Sequence, residues 1–277
     1  MTKLIHITDI HFESSPIMDR GNITNSELLL ESMIKHIQKF HSNADACVVT
    51  GDLVNDGGEE SYAKVFHALN SLGIKIIIAA GNHDNRGTII KFKSKFDSLV
   101  CEIHNGFIQY SYDIFYTRIL SIDTNNENPD DKCNFGSLCK HRLEWLDKCL
   151  SSATTPTILL MHHSPIDTGI AFMDRFCLES KGELAAVIAK HSHVKHIFFG
   201  HVHRCIAGHF SGISCSTPGS CSSNICIQSI NTFIESNDSP SYGLVLINDD
   251  CHPKQWSLTA HRVPFLIDDQ PQFFVPS

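Results

Sequence analysis

The sequence predicts an α/β fold in which parallel strands form a sheet covered by helices. Two observations predict it: five short apolar runs rich in β-branched residues, and segments of helical periodicity lying between them. The runs are 3–8 (KLIHIT), 45–50 (DACVVT), 75–80 (KIIIAA), 156–161 (PTILLM) and 194–199 (VKHIFF). Their nearly continuous apolar character, without polar alternation, is that of strands buried on both faces. The first helical segment, 25–41, places Leu28, Leu29, Met33, Ile37 and Phe40 at helical spacing, and 59–71, 137–150 and 180–190 share the period. Asn25 or Ser26 is the expected cap of the first of these helices, although a full capping box is absent. Strand, helix, strand succession implies parallel pairing through crossover helices. After Gly200 the pattern shortens to alternating runs at 203–217, 225–231, 241–248 and 255–262, broken by turn residues, which predicts antiparallel strands and a second sheet. Residues 1–263 are expected to form one domain, followed by an extended tail, 264–277, with three prolines.

Composition narrows the function. A chain of 277 residues buries a full core without covalent staples. Lys and Arg number 22 against 30 Asp and Glu, a net charge of −8 with no basic block, which argues against a polymeric nucleic-acid partner. No apolar run approaches the ~20 residues of a membrane helix, so no membrane partner is expected. The 11 cysteines are odd in number and form no CxxC pair, so neither a disulfide framework nor a zinc ribbon is indicated. Met1 runs straight into a strand without the features of a secretory leader, and a cytoplasmic, reducing location is expected.

The 18 histidines are the informative excess, because of where they fall. Each apolar run stops at a cluster of metal-ligand residue types: Asp9 and His11; Gly51-Asp52; Gly81-Asn82-His83-Asp84; His162-His163; and Gly200-His201-Val-His203. Parallel strands deliver their carboxyl ends to one edge of a sheet, where α/β proteins bind ligands, so all five clusters should meet. Residues two apart on leaving a strand point the same way, which lets Asp9 with His11, and His201 with His203, serve one small volume. The preceding glycines permit tight turns and close backbone approach. Carboxylate, imidazole and carboxamide suit Mn, Fe, Zn, Co or Ni. The ligands are too many for one ion; two ions about 3.5–4 Å apart, sharing a carboxylate, would use them and clamp an in-line displacement at phosphorus. Two divalent ions, less Asp9, Asp52 and a bridging hydroxide, leave one positive charge, which matches a phosphodiester.

In this order and at strand ends, Asp-x-His, Gly-Asp, Gly-Asn-His-Asp, His and Gly-His-x-His resemble the calcineurin-like metallophosphoesterase family. The branch it most resembles holds the class III cyclic nucleotide phosphodiesterases and glycerophosphodiesterases, through GDLVNDGGEESY at 51–62, HHSPI at 162–166 and FGSLCKHRLEWL at 135–146. The resemblance implies an αββα sandwich of two mixed β-sheets flanked by helices, with the metal site at the carboxyl ends of the strands. It implies two divalent transition-metal ions (Mn2+, Fe2+ or Zn2+), one on Asp9, His11, Asp52 and His203, the other on Asp52, Asn82, His162 and His201, with Asp52 bridging. His83 would steady the phosphate or protonate the leaving oxygen, held by Asp84, and a metal-bridging hydroxide would attack. The implied substrate is a small phosphodiester: 3′,5′-cyclic AMP, a 2′,3′-cyclic nucleotide or a glycerophosphodiester. Asn55 departs from the tyrosine of purple acid phosphatases and from the aspartate common in the cyclic nucleotide branch, and Ser164 replaces the usual proline of His-His-Pro-Pro.

Plainer accounts stand beside these. Gly, Asn and Asp are ordinary turn residues, but turn chemistry does not explain the histidines. His163 reads as a support beside the ligand His162, and His6 as a core histidine. Arg86 either helps hold substrate or starts a helix, exposed. His191, His193 and His196 read as surface or strand packing, Cys133 and Cys139 as free thiols, and 56–60 as an acidic loop entering a helix. Alternative functions are a phosphomonoesterase, a UDP-diacylglucosamine-type pyrophosphatase, a repair nuclease disfavoured by charge, or a binding platform without catalysis. The tail would make a homodimer contact or cover the mouth of the site. Specificity is expected from loops at 12–24, 124–136, 166–180 and 210–224.

Overall fold

The computed structural model describes residues 1–14, 17–19, 22–55, 57–127, 134–152, 154–248 and 256–266. Two six-stranded sheets form its centre. The first runs Ser257–Pro264, Ser241–Asn248, Thr2–Ile7, Ala46–Thr50, Lys75–Ala79 and Leu99–Val100 in spatial order. The second runs Cys205–Phe210, Ile213–Pro218, Val194–Phe198, Thr157–Leu160, Thr117–Ser121 and Tyr110–Ile114. Each is parallel in its middle and antiparallel where a hairpin closes an edge, so both are mixed.

The layers follow from side-chain alternation. In the second sheet Ile158, Leu160 and Phe198 join the core shared with the first sheet, while Leu159, Ile197 and Phe199 join the core beneath helices Lys140–Ser151 and Lys181–Ile188. Helices Ser26–His41, Glu59–Asn70 and Arg86–Lys93 contribute Met33, Phe66 and Phe92 to the first sheet's core. The result is the α/β sandwich with helices outside and two sheets within. Asn25 caps the first helix, its side chain accepting from the amides of Glu27 and Leu28 at 3.1 Å, whereas Ser26 lies inside it and bonds Glu13.

Two expectations are corrected. The five apolar runs do not share one sheet: three lie in the first and two in the second. Nor do the segments after Gly200 make the second sheet alone; Cys205–Phe210 and Ile213–Pro218 close one edge of it, while Ser241–Asn248 and Ser257–Pro264 return to the first sheet beside Thr2–Ile7. The sheet change comes from the hairpin Tyr110–Ile114 and Thr117–Ser121, a strand pair that the apolar runs do not announce because its outer strand alternates with exposed polar residues. The run 225–231 shrinks to Asn224–Ile225, paired with Glu235–Ser236.

Of the tail, Pro264 ends a strand and Phe265 is buried, its amide donating to Pro240; residues 267–277, and with them the dimer and cover readings, lie outside the described residues, as do Asp56 and Cys133. No helix among the described residues is long and apolar enough to cross a membrane.

Candidate metal centre

All five strand ends converge although they come from two sheets. The Asp9 amide donates to Gly51, the Gly200 amide to His162, and the His201 amide to both carboxylate oxygens of Asp9 at 3.0 and 3.1 Å. The backbone there is strained in one consistent way. Asp9 (φ 52°), His11 (φ 46°), Asp52 (φ 52°), His201 (φ 68°) and His203 (φ 47°) all adopt the left-handed conformation. A residue with a Cβ loses roughly 1–2 kcal/mol there. Glycine would relieve that cost but would remove the side chain, so the fold tolerates strain where it needs ligands. Where no ligand is needed, glycine lets chains touch: a Cβ on Gly81 would overlap the Asp52 carboxylate, and one on Gly51 would lie 2.6 Å from His162 Nδ1.

Asp9, His11 and His203 form one cluster and Asp52, His162 and His201 another, with ligand atoms within 4.8 Å of one another in each. Asp52 joins them: its Oδ2 lies 3.4 Å from His11 Nε2 and 3.2 Å from His162 Nε2. Asn82 Oδ1 stands 3.0 Å from His162 Nε2. His83 completes a third group with His11 and Asp52.

Tautomers test whether cations fit. His203 Nδ1 donates to the Ser223 carbonyl (2.8 Å) and His162 Nδ1 to the Thr50 carbonyl (2.7 Å), which turns each Nε2 inward. His11 Nδ1 faces Asn55 Oδ1 (3.3 Å), whose amide nitrogen in turn donates to Glu13. His11 Nε2 and His203 Nε2 therefore meet at 3.0 Å as two acceptors, and His201 Nδ1 and His162 Nε2 meet at 3.2 Å. Acceptors aimed at one another need a proton or a cation between them. Burial first, then neighbouring imidazoles, push the His11 pKa down to about 3 and that of His201 well below the usual histidine range, which leaves both neutral as ligands must be. Burial alone would raise Asp52, but the His162 imidazole and its hydrogen bond hold it well below the usual carboxylate range. The same contact outweighs burial at His162 and lifts it to about 9, so one proton sits in this crowd of acceptors. Burial, the largest effect, raises Asp9. The donor set fits two divalent ions better than it fits itself.

The flanking residues depart in part from expectation. Asp84 does not hold His83. Its carboxylate accepts from the amides of Leu53 (3.1 Å) and Gly81 (2.9 Å) and from Tyr62 Oη (3.0 Å), because the turn folds it beneath the loop; burial and then the Asp52 charge push it up to about 7. His83 is exposed, its Nδ1 3.5 Å from the Asn55 carbonyl and its amide on Asp52 Oδ1 (3.0 Å). Arg86 neither faces substrate nor lies exposed: it pairs with the buried Asp123 at 2.6 and 2.9 Å. His163 is fully buried, with Nδ1 2.8 Å from Thr124 Oγ1, and His6 is buried against Thr50 Oγ1 at 2.9 Å.

Sequence reasoning missed the segment that braces the Gly81 turn. Asn125 Nδ2 donates to the Gly81 carbonyl (2.6 Å), and the fully buried Arg142 donates to the carbonyls of Asp123 (2.9 Å) and Asn125 (2.6 Å). The signal existed: Asp123-Thr-Asn follows the unread strand Thr117–Ser121 as a sixth strand-end cluster.

Residues 2–205 match the Calcineurin-like phosphoesterase family. A 3′,5′-cyclic-nucleotide phosphodiesterase of Nostoc sp. is 29% identical over 97% of this chain and 95% of its own length. The glycerophosphodiester phosphodiesterase GpdQ of Enterobacter lignolyticus is 30% identical over 72% of this chain and 70% of its own. Among solved structures, a dimetal phosphatase from Danio rerio shares the fold, with a TM-score of 0.65 over 96% of this chain and 98% of that one at 13% identity.

Proposed function

The chain belongs to the calcineurin-like phosphoesterase family, and from that premise we propose that it is a dinuclear-metal phosphodiesterase acting on a small diester: 3′,5′-cyclic AMP, a 2′,3′-cyclic nucleotide or a glycerophosphodiester. The observation that carries the proposal is Asp52 Oδ2, placed 3.4 Å and 3.2 Å from a histidine nitrogen of each cluster. Asp9, His11, Asp52 and His203 would hold one ion, and Asp52, Asn82, His162 and His201 the other. Mn2+, Fe2+ and Zn2+ all suit these ligands. When bound, such a pair supplies Lewis-acid polarisation of the phosphoryl oxygens and a water acidic enough to react near neutral pH.

The protein's own groups do the rest. Thr50 and Ser223 carbonyls fix the imidazoles, and the His201 amide fixes Asp9. With Nδ1–H turned to the Asn55 carbonyl, His83 keeps Nε2 for the substrate; in its doubly protonated form it carries there a second proton, the one the leaving oxygen takes. The three-donor grip on Asp84 keeps the turn that carries His83 in place. Nine cysteines among the described residues are free thiols, which suits a reducing, cytoplasmic setting.

The test is steady-state hydrolysis by metal-stripped protein with each ion restored, across bis(p-nitrophenyl) phosphate, p-nitrophenyl phosphate, 3′,5′-cyclic AMP, 2′,3′-cyclic AMP and glycerophosphocholine. Diester turnover well above monoester turnover is expected. Asp52→Asn should remain folded, bind fewer than two ions per chain and lose at least about a hundredfold in rate. Monoester preference would make the protein a phosphatase, and no turnover with any ion would leave a binding platform.

A further inference from the structure

The cavity over the metal cluster, 330 Å³ in volume, has a wall that phosphate chemistry does not use. Phe172, Phe176 and Phe233 line it together with His11, Asn82 and His83. The first two rings are 5.4 Å apart and inclined at 69°, and Phe233 stands edge-on to the ligand His203 at 5.5 Å. All three rings are half-buried, so each keeps apolar surface toward the cavity. Their backbone is tied across two loops: the Phe172 amide donates to the Ser229 carbonyl (3.0 Å), and Arg175 Nη2 to the Ile230 carbonyl (3.3 Å). Of the polar groups that share the cavity, Ser222 Oγ donates to the Asp9 carbonyl (3.1 Å) and the Ser223 carbonyl accepts from His203.

A phosphate on the floor would thus carry its remaining bulk against aromatic faces. Aromatic walls take either a planar base, by stacking, or a quaternary ammonium, by cation–π attraction. Here the second is disfavoured, because the Arg175 guanidinium already lies 5.0 Å from the Phe172 centroid and 5.8 Å from that of Phe176. Its charge repels another cation but not a neutral base. A glycerol headgroup would offer the rings neither.

We propose that Phe172, Phe176 and Phe233 form a nucleobase subsite, so that the diester accepted is a cyclic nucleotide. The proposal rests on the two-ion phosphodiesterase reading, and it selects among that reading's substrates. Its test is calorimetric binding of AMP, ribose 5-phosphate and phosphocholine to the metal-loaded full chain. AMP should bind about tenfold or more tightly than ribose 5-phosphate, as one base stacked on an aromatic side chain gives. That advantage should shrink at least about fivefold in Phe172→Ala and in Phe233→Ala, and persist in Phe172→Tyr, which keeps the ring. Equal affinity for AMP and ribose 5-phosphate, tighter binding of phosphocholine, or an advantage unmoved in both alanine variants would overturn it. Failure of the phosphodiesterase reading shows elsewhere, as absent turnover of bis(p-nitrophenyl) phosphate by the wild type.

Discussion

Among the imidazoles gathered at the strand ends, His83 alone is exposed, and it is the one whose backbone amide, rather than its ring, touches Asp52. Its ring edge meets His11 at 4.8 Å at the rim of the cavity, within reach of His11 and Asp52 but outside the two clusters that Asp52 joins. A group so placed can reach a leaving oxygen without competing for an ion. Removing it should therefore affect proton delivery more than metal content. His83→Ala is expected to keep two ions per chain by elemental analysis and to lose about 10²–10⁴ in kcat on 3′,5′-cyclic AMP, whose leaving alkoxide needs a proton. The loss on bis(p-nitrophenyl) phosphate should be much smaller, because a nitrophenolate leaves without one. Equal losses on both substrates, or loss of an ion, would make His83 a ligand or a brace instead of a proton donor.

At the scale of elements, the site is a set of strand ends bent through left-handed residues and packed against glycine. Gly81 shows how little room remains. A methyl group there would press on the Asp52 carboxylate, whose Oδ1 is already fixed by the His83 amide, so the carboxylate must turn away from the position between the clusters. Gly81→Ala should weaken metal binding about 10–100-fold in a chelator competition and lower the unfolding free energy by about 1–3 kcal/mol. Gly182, in helix Lys181–Ile188 with nothing within 4 Å of its virtual Cβ, is the contrast: Gly182→Ala should raise the unfolding free energy by about 0.5–1 kcal/mol and leave the metal titration unchanged. The same elements show what the sequence makes legible. Ligand clusters were readable because each closes a continuous apolar run, and residue types at a strand end survive any error about which sheet the strand joins. The division into two sheets was not readable, because it depends on Tyr110–Ile114 and Thr117–Ser121: the outer strand alternates buried with exposed residues, and the inner one is a short run interrupted by Arg118. Asp123, which follows that hairpin and pairs with Arg86, is equally illegible, so the sequence alone offers Arg86 only substrate or solvent. The Asp84 role failed for a different reason: adjacency in sequence does not say which way a turn points two consecutive side chains.

Across the whole molecule, the two sheets meet at a pair of histidines that have no part in the site. His6 comes from the first sheet and His196 from the second, and the Phe198 ring lies between them, 4.7 Å from one imidazole and 4.6 Å from the other. His196 is held as a neutral ring by Ser214 Oγ (2.6 Å) and Ser216 Oγ (2.8 Å), and burial pushes its pKa down to about 4. Burial, then His196 itself, pushes His6 down to about 3. The folded pKa of His196 lies below the ordinary value of 6.5, so between about pH 6.5 and 4 the unfolded chain binds a proton that the folded chain refuses. Stability from this residue is complete above pH 6.5, falls as the pH falls through that window, and changes no further below about pH 4. The whole loss is roughly 3 kcal/mol, of which about 2 kcal/mol lies between pH 7 and 5. His196→Gln keeps a side chain able to bond both serines but cannot take up the proton. Urea unfolding of both proteins with chelator present, so that metal ligands titrate alike, should give a wild-type curve that drops more steeply from pH 7 to 5 than the variant's. Parallel curves would mean that the imidazole is already protonated when folded, and that the layer between the sheets tolerates a charge which its burial and neutral hydroxyl partners should exclude.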